Sequence, residues 1–242
     1  MKKTNLNIKN VIKKNKKILI ILGSILVIAL IVFTILLTNR IRKEKVVIKE
    51  LDKINELDIS KDSIDMEIKS KGELKIVEEA IKNYYKDFFE LKKKYNDNRA
   101  EALFNILTPE YLYEKYNKLT DVKKEFEEKN KSYEENIDNL IEMYKDYKIT
   151  SYIDKDSISK HNYEFYKSLM ITDEDRVTIK ELEEAKRNNQ EKYKYVVEVL
   201  DLLQKNKEKW YVKDNKLYID GKDILNKYNE LRKKVYDLDE NK

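Results

Sequence analysis

The chain has 242 residues, of which 40% are charged and 41% are apolar, and none is cysteine. This length and apolar content suffice for one or two folded domains. The missing cysteine excludes disulfides, thiolate metal sites, a cysteine nucleophile and a cysteine-linked lipid. A single histidine, His161, excludes a His-rich zinc site, and its neighbours favour a surface or helix-packing role.

Catalytic motifs do not emerge from the sequence. The chain has only three glycines, and they do not form a glycine-rich loop that could bind phosphate. It also lacks the G-x-S-x-G segment that carries the nucleophile of many serine hydrolases. Adjacent carboxylates such as Glu78 and Glu79 point in different directions on a helix. We therefore interpret them as solvent-exposed charges of helix faces and not as catalytic pairs. The sequence therefore predicts a protein without enzymatic activity, cofactor or metal ion.

The N-terminal part of the chain predicts a membrane anchor. Residues 18–37 (ILIILGSILVIALIVFTILL) form an uncharged run whose length matches the roughly 30 Å hydrocarbon core of a bilayer. A cleaved signal peptide is the alternative, but its apolar region is commonly about 7–15 residues and ends in a small-residue site. The run here ends instead at Arg40 and Arg42, which favours an uncleaved single-pass transmembrane helix.

The charges around this run predict its orientation. Residues 1–17 form a basic tail with seven lysines and no acid, and positively charged flanks resist translocation. This favours a cytoplasmic N-terminus and places the bulk of the chain outside the cytoplasm. The cations Arg40, Arg42, Lys43 and Lys45 follow the run and weaken the bias.

The net charge of +5 does not indicate nucleic-acid binding. Residues 1–45 hold eleven Lys/Arg against one acid, so residues 46–242 hold forty against forty-five and are acidic. An acidic, sign-mixed surface is a poor binder of phosphate backbones. The 45 lysines against six arginines are typical of AT-rich genomes and predict a low-GC Gram-positive bacterium as the source.

The segment after the run is predicted to be a juxtamembrane stalk or linker, residues 38–72. Val47, Leu51 and Ile54 have helical spacing within it. Residues 58–72 alternate in polarity up to a glycine, which suits either a short strand or an ordered linker.

Residues 73–238 are predicted to form an antiparallel helical bundle, followed by a tail at residues 239–242. The stripe that begins at Glu73 is wide enough to need more than one partner helix. In the stripe from Leu119 to Tyr147 the register slips between Phe126 and Ile137, which favours a bundle over a long coiled coil. Tyrosines within the apolar stripes are interpreted as core residues: Tyr84, Tyr133, Tyr144, Tyr193 and Tyr228.

Two helix starts carry recognisable signals. In Thr108-Pro109-Glu110, threonine suits the N-cap, proline the first helical position and glutamate the helix dipole. The segment 172–175 (TDED) resembles a capping box that opens a long helix ending near Lys207.

Residues 209–220 (KWYVKDNKLYID) predict a β-hairpin between the last two helices. If Asp214 and Asn215 form the two-residue loop, the opposed side chains sort into two faces. One face is apolar and is predicted to clamp the flanking helices: Trp210, Val212, Leu217 and Ile219. The other face is a candidate partner-binding surface: Tyr211, Lys213, Lys216 and Tyr218.

Residues 201–231 resemble the end of the YiaF-like lipoproteins, a bacterial envelope family of unknown function. There a long helix leads into a strand pair and a last helix with a Tyr-Asn-x-Leu element, here residues 228–231, and residues 85–89 (YKDFF) are similar to the family's aromatic opening segment. The resemblance implies a helical envelope domain tethered to the membrane, and it supplies no catalytic residues. Because the lipoprotein cysteine is missing, residues 18–37 would replace the lipid.

These features predict a membrane-anchored, extracytoplasmic helical scaffold or protein-interaction module of the cell envelope. Its expected partners are the membrane and either another envelope protein or a second copy of the chain, and no nucleic acid is expected. The alternative is an extracytoplasmic ligand-binding or sensory domain with a pocket between the helices and the hairpin.

Overall fold

A computed structural model describes residues 2–101 and 106–240, with side chains over residues 26–97 and 106–238. The fold is mainly helical, with a two-stranded antiparallel sheet before the last helix, as predicted. The helices are α1 (Lys2–Asn55), α2 (Glu73–Glu101), α3 (Pro109–Glu114), α4 (Leu119–Met143), α5 (Asp146–Thr150), α6 (Lys160–Met170), α7 (Asp173–Lys205) and α8 (Lys222–Glu240). The strands β1 (Trp210–Lys213) and β2 (Lys216–Ile219) lie between α7 and α8.

Helix α1 is continuous from the predicted tail, through the predicted membrane segment, into the bundle. Side chains 26–37 are exposed, and the first buried side chain after them is Val47. Residues 1–17 and 18–25, the predicted basic tail and the start of the predicted span, lie outside the described side chains, as does the predicted tail at 239–242. A search limited to the described residues found no helix with an apolar stretch that could cross a membrane.

The predicted stalk contributes to the first of two hydrophobic cores. Val47, Leu51 and Ile54 at the end of α1 are at most 7% exposed. They belong to one cluster with buried residues of α2, the second half of α4, α5 and α6. The core therefore begins before residue 73, where the sequence pattern places the start of the bundle.

Helix α2 packs antiparallel to α4, and α4 packs antiparallel to α7, as predicted. The Tyr84 hydroxyl of α2 donates to the Met143 carbonyl oxygen of α4 at 3.1 Å, while Tyr95, further along α2, stacks on Tyr133, which comes earlier in α4. Cross-helix pairs between α4 and α7 also run in opposite order: Lys123–Asp201, Phe126–Tyr193, Asn130–Asn189 and Asp138–Lys186.

The second core lies between α3, the first half of α4, the second half of α7, the hairpin and α8. Its buried members are Leu112, Leu119, Val122, Phe126, Val196, Val199, Leu200, Leu203, Trp210, Tyr228, Leu231 and Val235.

A polar layer separates the two cores. Asn130 of α4 and Asn189 of α7 are buried, and the Asn189 side-chain amide donates to Asn130 Oδ1 at 2.7 Å. The predicted register slip between Phe126 and Ile137 is confirmed. Buried positions follow one another by four residues twice in succession, from Val122 to Phe126 to Asn130, whereas a heptad alternates steps of three and four. Asn130 therefore takes the buried position that a strict heptad would give to Lys129.

The predicted helix starts are confirmed. The Thr108 hydroxyl accepts a hydrogen bond from the Tyr111 backbone N–H at 3.4 Å, and Pro109 is the first residue of α3. At the start of α7, the Asp175 carboxylate accepts from the Thr172 backbone N–H at 2.7 Å. Helix α4 ends at Met143, short of the predicted stripe, whose last residue belongs to α5.

The hairpin has the predicted register. Asp214 and Asn215 have φ angles of 49° and 56°, in the left-handed region that these two residue types tolerate. The Asp220 backbone N–H donates to the Lys209 carbonyl oxygen at 2.7 Å and closes the pair of strands. The opposed residues are Trp210 with Ile219, Tyr211 with Tyr218, Val212 with Leu217, and Lys213 with Lys216.

Candidate functional site

The apolar side of the hairpin faces the second core. Trp210 is 3% exposed, its Nε1–H donates to the Leu203 carbonyl oxygen at 2.8 Å, and its ring meets Tyr116 edge-on with 4.7 Å between centroids. The indole thus joins α7 to the turn between α3 and α4. The other three members of the predicted clamp are half-buried against the same core: Val212, Leu217 and Ile219.

The opposite side of the hairpin brings the candidate partner-binding residues together. Tyr211 and Tyr218 are 55% and 40% exposed and stack with 5.1 Å between ring centroids. Lys213 and Lys216 extend this surface toward the loop and are exposed. Exposed tyrosine rings are enriched at protein interfaces, so this surface is suited to contact a partner.

Three charged side chains, none of which was predicted to be buried, lie together between α1 and α2. The Lys82 ammonium lies 2.9 Å from Glu78 Oε1 and 3.1 Å from Glu50 Oε2. Lys82 and Glu78 are each 1% exposed and Glu50 is 6% exposed. The interpretation of Glu78 as a solvated carboxylate is therefore wrong, while its neighbour Glu79 is exposed as expected.

The buried charges fasten the segment between α1 and α2. Glu78 Oε2 accepts from the Ser70 backbone N–H at 2.7 Å and Oε1 from the Lys69 backbone N–H at 3.0 Å, and Lys82 donates to the Glu67 carbonyl oxygen at 2.6 Å. Residues 62–71 are not a strand. Of the two alternatives predicted for residues 58–72, a short strand or an ordered linker, the structure has the ordered linker. Side chains of α2 hold it in place through hydrogen bonds to its backbone.

The ionisation of this cluster follows from its hydrogen bonds. Burial alone would raise the pKa of Glu78, but hydrogen bonds from Ser70, Lys69 and Lys82 outweigh it and lower the pKa to about 2. Burial alone would also lower the pKa of Lys82, yet the carboxylates of Glu78 and Glu50 raise it. All three groups are therefore charged at neutral pH.

A signal for this cluster exists in the sequence. Glu78 and Lys82 are four residues apart and lie beside Val77 and Ile81 in the wide apolar stripe of α2. Charges within such a stripe are buried when the helix has partners on both sides. Their partner Glu50 sits between the core positions of α1 and is not detectable by local spacing.

A cleft of about 510 Å³ lies where α1 leaves the bundle. It is formed by α1, the end of the linker, and the first residues of α2 and α6. Its main lining side chains are Leu36, Arg40, Lys43, Lys71, Glu73 and His161.

Polar contacts hold the walls of the cleft together. The Glu73 carboxylate accepts from the Ser159 backbone N–H at 2.8 Å and from the Asn162 amide at 2.7 Å, which ties α2 to the start of α6. His161 Nε2 lies 2.7 Å from Glu44 Oε1 and ties α6 to α1. His161 is thus half-exposed with a helix-packing contact, in agreement with its predicted role.

The tyrosines of the apolar stripes fill the cores and place their hydroxyls on backbone oxygens or at the edge. Beside the Tyr84 contact described above, the Tyr166 hydroxyl donates to the Ile149 carbonyl oxygen at 2.7 Å. Burial raises the pKa of Tyr84 and Tyr166 above the usual value and that of Tyr144 to about 12. These phenols stay neutral and act in packing.

Within the described residues, no group of three or more His, Cys, Asp or Glu side chains is arranged to hold a metal ion. Comparisons with protein-family models, with curated proteins and with solved structures found no match to this chain. The candidate sites are therefore the surface of Tyr211, Lys213, Lys216 and Tyr218, called the hairpin surface below, and the cleft beside α1.

Proposed function

We propose that the chain is a single-pass membrane protein of the bacterial envelope that presents its helical bundle outside the cytoplasm as a scaffold or interaction module. The observation that carries the proposal is the uncovered apolar part of α1. Ten large apolar side chains between Leu26 and Leu37 are each at least 45% exposed and lie all around the helix. Soluble monomers rarely expose a continuous apolar surface of this kind.

Sequence features support the anchor and its direction. The run 18–37 continues the exposed apolar segment on its N-terminal side, and the basic residues 1–17 favour a cytoplasmic N-terminus. The resemblance of residues 201–231 to the YiaF-like lipoproteins agrees with an envelope location and stays a prediction.

The hairpin surface supports the interaction role. It lies on a hairpin whose other side is buried, so its rings and cations are held in place without being used in the core. Its partner is another envelope protein or a second copy of the chain. The alternative function needs a ligand pocket between the helices and the hairpin, where Trp210 instead packs against Tyr116.

The anchor is tested by washing membranes with alkaline carbonate. The wild-type chain is expected to stay in the pellet, and Ile28→Arg with Ile31→Arg to be released, because two charges in the apolar run oppose insertion. The matched control is Val46→Arg with Ile48→Arg, which changes exposed residues of the same helix outside the run and should remain in the pellet. Release of the wild-type chain would refute the anchor.

Orientation and partner are tested in living cells. Protease added to intact protoplasts is expected to remove a tag placed after Lys242, and a protected tag would refute the outside location. A photo-crosslinking amino acid at Tyr211 or Tyr218 should capture a defined partner, while the same group at Tyr147, which is 61% exposed at the other core, should not. Equal capture at all three positions would refute the role of the hairpin surface.

A further inference from the structure

The cleft beside α1 has one apolar edge and several cationic walls. Leu36, from the end of the apolar run, and Arg40, Lys43 and Lys71 line the same space. Its volume of about 510 Å³ is within the range of small-molecule sites, which is about 300–1,000 Å³. The cleft therefore combines the end of an apolar helix surface with positive charge.

The positive charges of the cleft are not all paired with carboxylates of the protein. Neither Lys43 nor Lys71 has a carboxylate within 4.0 Å among the described side chains. Arg40 uses its Nε–H on Glu44 at 3.1 Å, and a guanidinium carries further N–H donors. The acidic lining residue, Glu73, is already engaged with α6. A ligand that fits these walls carries negative charge.

The position of the cleft identifies the kind of anion. Arg40 and Lys43 follow Leu37, the end of the apolar run, within about two helical turns, so their backbones lie about 5–9 Å along the helix axis from the run. In a bilayer this distance separates the acyl chains from the headgroup phosphates. An anion at this level has its apolar portion beside Leu36 and its phosphate among the cations.

We propose that the cleft binds the phosphate headgroup of an anionic phospholipid; this inference rests on the proposed membrane anchor. The site also accounts for the cations that follow the apolar run. Lys43 and Arg40 weaken the charge bias that orients the chain, and headgroup binding gives them a function on that side of the membrane. Lys71, from the linker, adds a cation that is distant in sequence but shares the cleft.

The test uses the full chain and two lipids. The chain is first mixed with phosphatidylcholine vesicles and centrifuged in a density gradient. Flotation with these neutral vesicles reports only on the anchor, because no anionic headgroup is present. It is then placed in neutral detergent micelles, and phosphatidylglycerol is titrated while native mass spectrometry counts the lipid molecules bound. We expect one phosphatidylglycerol to bind with higher affinity than the others, and more tightly than phosphatidylcholine.

The variant Lys43→Gln with Lys71→Gln should weaken binding of this first lipid by at least about tenfold, because each lysine gives a charge-assisted hydrogen bond. The matched control is Arg42→Gln with Lys45→Gln, which removes the same charge from the same end of α1 without changing the cleft lining. It should alter the affinity by less than about threefold, since its effect is only through screened surface charge.

Equal losses in the two variants, or no loss in either, would overturn the site. Soluble glycerol phosphate is titrated in parallel and should not compete at concentrations that saturate the lipid site. Competition at equal concentration would assign the cleft to a free phosphate ester and refute the lipid. A chain that does not float with neutral vesicles refutes the anchor and this inference together, whereas normal flotation with cleft-independent binding refutes only the inference.

Discussion

Lys82 is the residue on which the junction between α1 and α2 depends most. Its ammonium connects a carboxylate of each helix and a carbonyl oxygen of the linker while it is almost fully buried. A buried ion pair adds little net stability over an apolar replacement of all its members, but removing one member leaves charges without compensation. The loss of Lys82 is thus more damaging than its packing volume implies.

Replacing Lys82 with methionine tests this asymmetry. We expect Lys82→Met to lower the free energy of unfolding by about 3–5 kcal/mol, because Glu78 remains buried without a cation and Glu50 keeps only Lys53 as its partner. Thermal unfolding followed by circular dichroism in detergent micelles measures the change. Lys86→Met, one turn further along α2 and exposed, is the control and should change the stability by less than about 0.5 kcal/mol. Similar effects of the two substitutions would contradict the buried role.

The pKa of Glu78 predicts a dependence of stability on pH. The folded value of about 2 lies below the ordinary value of 4.5, so the folded state binds its proton less readily than the unfolded state. The stabilisation is complete above about pH 5 and is lost as the pH falls toward 2, with an upper limit of about 3 kcal/mol.

Glu78→Gln should therefore flatten the fall in melting temperature between pH 5 and pH 2.5, besides lowering stability at neutral pH. The neighbouring Glu79 is exposed and supplies the control, since Glu79→Gln should keep the wild-type slope. The measurement is a series of thermal melts at fixed ionic strength. A wild-type slope in Glu78→Gln would assign the acid sensitivity to other carboxylates.

At the scale of elements, the hairpin is predictable and the α1–α2 junction is not. The determinants of the hairpin lie within residues 209–220: two loop residues that tolerate positive φ and strands that alternate on either side. The junction joins Glu50 to Lys82 across 32 positions, and no local period reports such a contact. Likewise the sequence pattern does not show that Asn130 is buried, because its partner Asn189 lies 59 positions away in α7.

The loop conformation of the hairpin is tested by a β-branched residue. Asp214→Val should lower the free energy of unfolding by about 1–2 kcal/mol, because a left-handed backbone crowds the branched side chain. Trp210, the single tryptophan and a buried reporter, allows melting to be followed by fluorescence. Lys213→Val introduces the same side chain one residue earlier, in strand conformation, and should be nearly neutral.

The polar layer predicts non-additive mutations. Asn130→Leu alone should destabilise the fold by about 1–3 kcal/mol, since it leaves the buried Asn189 amide without its acceptor. Adding Asn189→Leu should recover at least this loss, because Asn189 Oδ1 has no hydrogen-bond partner in the described structure and both polar groups are then gone. A thermal double-mutant cycle measures the coupling, and additive effects would contradict the pairing.

At the scale of the whole molecule, the boundary between the exposed apolar run and the bundle falls within α1. A chain starting at residue 38 lacks the apolar run but keeps Val47, Leu51 and Ile54, and we expect it to melt within about 2 °C of the full chain. A chain starting at residue 56 lacks these three core side chains. Because each contributes about 2–5 kcal/mol and domains have only about 5–15 kcal/mol of stability, it should not unfold cooperatively. Equal melting of both would place α1 outside the core.

The cleft shows why sites between segments escape sequence analysis. The sequence pattern predicts Arg40 and Lys43 as charges that flank the apolar run, Lys71 as part of a linker and His161 as a surface or helix-packing residue. Only the packing of α1, α2 and α6 brings these distant positions to one opening. The fold class could be predicted from periodicity, whereas this juxtaposition depends on tertiary packing.

The absence of a hinge in α1 has a mechanical consequence. The helix is unbroken from the apolar segment to Asn55, and Val47 follows Leu37 by only about 15 Å along the axis. A stiff helix transmits rotation and tilt from one end to the other. Rotating its apolar end by the angle between successive residues, about 100°, would therefore rotate the first core by the same angle unless the side-chain packing rearranged. The first core is therefore rigidly connected to the apolar run, so that tilting or rotating this run would tilt or rotate the core with it.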